Sequence, residues 1–200
     1  MNKIITIGRQ FGSGGRELGR RLAEELGFEY YDKEIVSEIA KHTSLSEEYV
    51  QQIIECTPHR LYPITTAHSM SMNEDYSFRQ IQTIYEAQSE ILKEMADKGN
   101  CVIVGRCADY ILRDYKPFRI FVHATLESRL NRCRQKGSEE EHYTDRQLKR
   151  KIRKIDRGRD RYYSFYTGQQ WGDKDNYDMC INTTDTKIKE IVPVLAKIFE

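Results

Sequence analysis

The sequence predicts a three-layer α/β fold around a parallel sheet. Short apolar runs alternate with helical segments along the chain, several of those runs are apolar throughout, and a glycine-rich turn occupies the first strand–helix junction. A strand buried on both faces needs no polar alternation, so an all-apolar run between helices reads as an interior parallel strand.

Lys3 to Gly8 (KIITIG) is the first such strand, β-branched and ended by glycine. Arg16 to Leu26 then places Leu18, Leu22 and Leu26 four apart, an amphipathic helix stopped by Gly27. Phe28 to Tyr31 is a second strand, closed by Asp32, and helices follow at Lys33 to Lys41 and Ser46 to Glu55. Thr57 to Asn73, with Pro58, Pro63 and no clear period, predicts a long mobile loop. Glu74 to Lys98 carries an apolar stripe that includes Ile81, Ile84, Ile91 and Met95, and Gly99-Asn100 ends it. Cys101 to Val104, Phe118 to Val122 and Tyr177 to Ile181 are three more strands. Leu126 to Gln135, Asp145 to Tyr163 and Lys187 to Phe199 are expected to be helical. There is no internal repeat and no low-complexity stretch.

Composition narrows the function classes. The 200 residues are 38% hydrophobic and 32% charged with a net charge of +1, so bulk charge argues for no polyanionic partner. Nucleic acid is not expected as a partner, although Arg146 to Arg161 holds nine Lys or Arg as a solvated helix face or an anion-binding arm. Mean hydropathy is −0.73, and no run approaches the roughly 20 apolar residues of a membrane span. The first strand begins at once, which leaves no room for a signal peptide. The five cysteines form no CxxC pair and predict reduced thiols in the cytoplasm rather than zinc or disulfides. The group His59, His68, Met70 and Met72 lacks ligand spacing.

The segment Gly8-Arg-Gln-Phe-Gly12-Ser13-Gly14-Gly15-Arg16-Glu17 lies where phosphate binding requires it, between a strand and the start of a helix. Helix-head amides lack intrahelical partners and the helix dipole favours an anion there. Glycines allow close backbone approach and positive φ. We therefore assign Gly12, Ser13, Gly14, Gly15, Arg16 and Glu17 to binding ATP, with Ser13 as a hydroxyl donor. The usual pattern is GxxxxGK[ST]. With Gly14 as its last glycine, the lysine position holds Gly15, and Arg16 is the nearest substitute cation. Glu17 either contacts a metal ion or serves as a favourable first-turn charge.

The block ITIGRQFGSGGRELGRRLAEELGFEYYDKEI resembles the opening of the cytidylate kinase-like proteins. CVIVGRCADYIL, FRIFVHATLESRLNRC and IDRGRDRYYSFYTGQQWGDKDNYDMCINTT extend the resemblance over nearly the whole chain. It implies a P-loop nucleotide kinase fold with a five-stranded parallel sheet and a helical lid. ATP would lie on the glycine loop with Mg2+, and a nucleoside monophosphate such as CMP across the cleft. By the same resemblance Asp32, Arg79, Arg106, Asp156 and Arg159 bind the acceptor, while Arg129 and Arg132 stand at the base of the lid and assist transfer with Arg16. Residues 1–200 form one domain, with a mobile acceptor-binding region over about 33–75 and a lid over about 133–160. Lys33 and Cys107 depart from the family's usual residues, which leaves the cytidine preference open.

The residues themselves admit both a functional and a bland reading. Arg106 follows an apolar strand and sits at the carboxyl edge where ligands collect. Arg129 and Arg132, three apart, share a helix face. Asp32 also suits a helix cap, Asp156 and Arg159 a salt-bridged helix, and Trp171 with Tyr162, Tyr163, Tyr166 and Tyr177 mainly packing. The missing lysine thus leaves two function classes: a phosphotransferase acting on a small acceptor, or a regulatory module that binds nucleotide with little or no catalysis.

Overall fold

Strand β1 (Ile4–Arg9) is the axis of the molecule, and the computed structural model describes residues 2–55, 72–136 and 143–199 around it. Its β-branched residues form a strand with neighbours on both sides, and Ile5 and Ile7 are completely buried. The other strands are β2 (Glu29–Tyr31), β3 (Cys101–Val104), β4 (Phe118–His123) and β5 (Met179–Asn182). The order is β2-β3-β1-β4-β5 and every pairing is parallel. Ile5 lies between Val102 of β3 and Phe118 of β4.

Alternation along the strands divides the core. Ile5, Ile7, Val102 and Val104 face α1 (Gly15–Leu26) and α8 (Ile188–Ala196), meeting Leu18, Leu22 and Val192. Ile4, Cys101 and Ile103 turn to the opposite layer, built from α2 (Glu34–Thr43), α3 (Glu47–Glu55), α4 (Met72–Lys98) and α7 (Asp145–Thr167). A smaller cluster of Leu130, Leu148 and Ile152 joins α6 (Leu126–Lys136) to α7 and packs beneath Phe11. The five-stranded α/β architecture expected from the sequence is therefore present. No described helix is long and apolar enough to cross a membrane.

Boundaries differ where side chains act across elements. Helix α7 runs to Thr167 rather than Tyr163, because Tyr166 stacks face to face on Tyr85 of α4 at 3.9 Å and keeps the last turn docked. Gly168, at φ 69°, ends it. At the other end the side chains of Thr144 and Gln147 form a reciprocal capping box. Strand β5 starts at Met179, not Tyr177, because Asp173 caps a 3-10 turn at Lys174–Asn176. A four-residue helix, α5 (Ala108–Ile111), follows β3 and was not foreseen. Helix α4 takes in residues 72 and 73 of the expected loop; the rest of that loop, with His59, His68 and Met70, lies outside the described residues, as do positions 137–142 of the expected lid.

The connection from β1 runs to β2 on one side of the sheet and that from the adjacent β3 runs to β4 on the other, so a crevice opens at the carboxyl ends of β1 and β3. The glycine loop enters that crevice. Because β1 is packed on both faces, Ile7→Ala should lower unfolding free energy by about 2–5 kcal/mol. Urea denaturation would show this as a lower midpoint with an unchanged slope.

Candidate active site

The glycine loop is shaped by contacts that only bare backbone permits. Gly12 and Gly14 have φ of 77° and 86°, the left-handed region that glycine reaches without strain. A Cβ on Gly12 would lie 2.9 Å from the Arg129 carbonyl oxygen and from Cys133 Sγ, so the loop presses directly on α6. No side chain caps α1, and its head faces a cavity of about 1450 Å³. Nine Lys or Arg and three acids line that cavity, an excess suited to a polyphosphate.

Side chains from α6 and α7 hold the loop from behind. Asp156 accepts the Phe11 N–H at 2.7 Å and pairs with Arg129, which donates to the Phe11 carbonyl at 3.3 Å. Arg132 donates to the Ser13 carbonyl at 3.3 Å and to the Thr183 carbonyl, while the Thr183 hydroxyl donates to Ser13 O at 2.7 Å. Ser13 is fully buried, and its own hydroxyl donates to the Gln10 carbonyl at 2.8 Å. The reading of Ser13 as a hydroxyl donor to ligand is therefore corrected: its side chain closes the loop on itself. Arg129 and Asp156 line neither cavity at this site and bracket Phe11 instead. Arg132 reaches the larger cavity while anchored to the backbone of Ser13 and Thr183. Arg79 is exposed on α4 and lines neither cavity, so the fold does not bring it to the cleft.

A second cavity, about 550 Å³, adjoins the first. Arg106 lines it from the end of β3, where Gly105, Arg106 and Cys107 have φ of 78°, 62° and 52°. Such non-glycine backbone costs of order 1–3 kcal/mol per residue and persists only where its surroundings enforce it. Gln88 of α4, fully buried, donates to the Arg106 carbonyl at 2.9 Å and pairs with the Tyr162 hydroxyl. Tyr162, Tyr163, Trp171 and Tyr177 form the aromatic side of the cavity while also packing into or against the core, as the packing reading expected. Asp109 lies among them and accepts the Tyr163 hydroxyl at 2.6 Å. Burial raises its carboxyl above the ordinary range, and the Tyr163 bond pulls the other way.

Among the described residues, Arg9, Arg16, Lys33 and Arg159 alone line both cavities. Two of them, Arg9 and Arg16, meet at Asp32, which is 3% exposed. Arg16 pairs closely with Asp32, and Arg9 reaches the same carboxylate at 3.4 Å. Asp32 does not cap α2, and its N–H donates to Glu34 Oε2 at 3.2 Å. Burial, then the charge of Arg159, draws the Arg9 guanidinium well below the usual arginine range, and Asp32 partly offsets this. An anionic ligand would relieve that repulsion. Sequence reasoning passed over Arg9, Gln88 and Asp109, and took Lys33 only as a departure. The available signal for Arg9 was its place at the end of β1, beside the loop.

The residues fit a bound nucleoside triphosphate, on the close-packed glycines and the shared cations just described. Among the described residues no group of three or more His, Cys, Asp or Glu could hold a metal ion. Glu17 lines the larger cavity and pairs with Arg21 at 3.0 Å.

A five-stranded parallel sheet with a glycine loop at its crevice defines a protein of the P-loop kinase-like fold. The chain belongs to the cytidylate kinase-like family, whose model matches residues 4–185. No curated protein matches the sequence significantly. Among solved structures it is similar to an uncharacterized protein from Eubacterium ventriosum, at 25% identity and TM-score 0.67, covering 98% of this chain and 97% of that one. Shikimate kinase from Bacteroides thetaiotaomicron shares the fold at 15% identity and TM-score 0.58, over 100% and 99% of the two chains. Shikimate kinase from Acinetobacter baumannii does so at 17% and 0.53, over 100% and 93%.

Two outcomes follow from this geometry. Thr183→Val should cost about 1 kcal/mol of stability and weaken nucleotide binding, because Ser13 O loses its shorter bond; denaturation and calorimetry would measure both. Asp109 gives a pH dependence. Its folded pKa is raised, so as pH climbs from about 4 the unfolded chain releases this proton first and folding loses stability until the folded pKa is passed. Asp109→Asn removes that contribution, so the stability of the variant relative to wild type should rise with pH over that interval. A gap independent of pH would contradict the assignment.

Proposed function

We propose that the protein transfers the γ-phosphoryl group of ATP to a small acceptor, with a nucleoside monophosphate such as CMP the leading candidate. Family membership and the kinase-like fold support nucleotide-dependent phosphoryl transfer. One observation carries the reading further: the described residues that line both cavities are all cations, Arg9, Arg16, Lys33 and Arg159. Phosphoryl transfer asks a protein for in-line placement and for positive charge on the migrating group, with little covalent chemistry.

In this reading the amides at the head of α1 and the close-packed Gly12, Gly14 and Gly15 receive the triphosphate. Arg9 and Arg16 exchange Asp32 for phosphate oxygens, and Lys33 and Arg159 add charge beside them. Arg106 and Arg159 meet the anionic end of the acceptor, and the Trp171 and tyrosine side receives its ring. Arg129, Arg132 and Asp156 act on the loop backbone and position it. A magnesium ion bound with the triphosphate would add positive charge there, and Glu17, which lines the larger cavity, is the acid that would help hold it on leaving Arg21. A cytoplasmic location belongs to the same proposal, in keeping with free thiols at Cys101, Cys107, Cys133 and Cys180.

Coupled measurement of ADP formation with magnesium and a panel of nucleotides and other small phosphate acceptors tests the proposal. The expected result is turnover that depends on acceptor, highest with a pyrimidine monophosphate. Nucleotide binding without turnover on any acceptor would leave a non-catalytic nucleotide-binding module instead.

A further inference from the structure

The missing lysine has a structural counterpart. With Gly14 as the last glycine of GxxxxGK[ST], counting back five residues puts Arg9 where the motif has its first glycine. The chain has a side chain where the pattern has none, and none where the pattern has a cation.

The two departures meet in space. A Cβ on Gly15 would lie 2.6 Å from Arg9 Cβ and 3.2 Å from its Cγ, so the stem of Arg9 occupies the volume through which a residue-15 side chain would leave the backbone. The far end is fitted in the same way. A Cβ on Gly105 would lie 1.9 Å from Arg9 Nη1, so the guanidinium rests on bare backbone at the end of β3. Glycines at 15 and 105 are thus the walls of one channel. Its outlet is the boundary between the two cavities, which Arg9 lines on both sides.

Arg9 and Arg16 are not equivalent there. The Arg16 side chain is 56% exposed and closely paired with Asp32, while the Arg9 side chain is 11% exposed and touches Asp32 only at 3.4 Å. A long contact to the carboxylate leaves a buried guanidinium weakly committed. Crowding by Arg159, Arg106 and Arg16 raises the benefit of an incoming anion. Water is already largely excluded from it, which is the setting in which a fixed charge acts most strongly on a transition state.

We propose that Arg9, rather than Arg16, takes the part of the motif lysine, and that Gly15 and Gly105 are required as the space it occupies. The inference rests on the phosphoryl-transfer reading above. During transfer the bond between the γ-phosphorus and the β–γ bridging oxygen breaks while an acceptor oxygen bonds to phosphorus, and ADP departs. Any proton on the acceptor oxygen goes to water. Arg9 exchanges no proton and holds the equatorial oxygens of the migrating group.

The test compares wild type with Arg9→Ala, Arg9→Lys, Arg16→Ala and Gly15→Ala. It measures kcat for ADP formation, calorimetric affinity for a non-hydrolysable ATP analogue and for ADP, and melting temperature. Arg9→Ala is expected to lower kcat by about 10²–10³-fold and analogue affinity by roughly tenfold or more, with ADP affinity changing about threefold or less. Arg16→Ala should lose less than Arg9→Ala in both. Gly15→Ala, which intrudes on the channel, should reproduce the Arg9→Ala pattern. Should Arg9→Ala fail to fold, Arg9→Lys decides: a loss of about tenfold or more in analogue affinity at unchanged melting temperature supports the forked contact, and a smaller loss overturns it. A loss below tenfold for Arg9→Ala, or a larger one for Arg16→Ala, overturns the inference. If wild type turns over no acceptor, the phosphoryl-transfer reading falls by itself, and discrimination between analogue and ADP still decides whether Arg9 faces the third phosphate.

Discussion

Asp32 is the charge around which the site is arranged. It is a carboxylate at the carboxyl end of β2, 3% exposed, in contact with Arg9 and Arg16 and surrounded at longer range by further cations. Buried cations without a counter-charge are expensive, and a buried acid without one is equally so. Their mutual pairing lets a strongly positive surface exist at the centre of the fold before any phosphate arrives. Ligand binding then becomes an exchange of anions rather than the burial of new charge.

The glycine loop depends on that centre and on a second set of contacts behind it. Where the loop lies directly on α6, at Gly12, it has no side chain to grip with, so contacts from α6, α7 and Thr183 help fix its position. Asp156 and Arg129 hold both polar groups of Phe11, and Arg132 with Thr183 holds Ser13. Residues that resemble lid and acceptor groups in linear sequence therefore act, in this geometry, on the loop. The same division appears across the crevice, where Gln88 secures the left-handed Arg106 turn and leaves its guanidinium beside the smaller cavity.

Much of the fold was legible along the chain. The strand runs beginning at Lys3, Cys101 and Phe118 are apolar because they are buried on both faces, and their unbroken apolar character between helical segments identified them. The glycine loop was legible because its glycines and its place between strand and helix are both sequence properties. The positions of Asp32 and Arg106 at strand ends beside the crevice were legible on the same ground. Arg79 was not, because a position on a long exposed helix says nothing about which side of the molecule it faces. Ser13 was misread because a buried hydroxyl and a ligand-facing one look alike in sequence; only the Gln10 carbonyl at 2.8 Å distinguishes them.

The sequence by itself determined the α/β alternation, the glycine loop at the first crossover and the family resemblance, since each rests on the order and spacing of residues near one another. Tertiary structure decided which cations meet. Arg9, Arg16, Lys33, Arg106 and Arg159 are scattered over 150 positions and converge only because β2, β3 and β1 end side by side and α7 lies across them. Parallel strands bring their carboxyl ends to one edge whatever their separation in the chain, and that edge is where the charges were assembled.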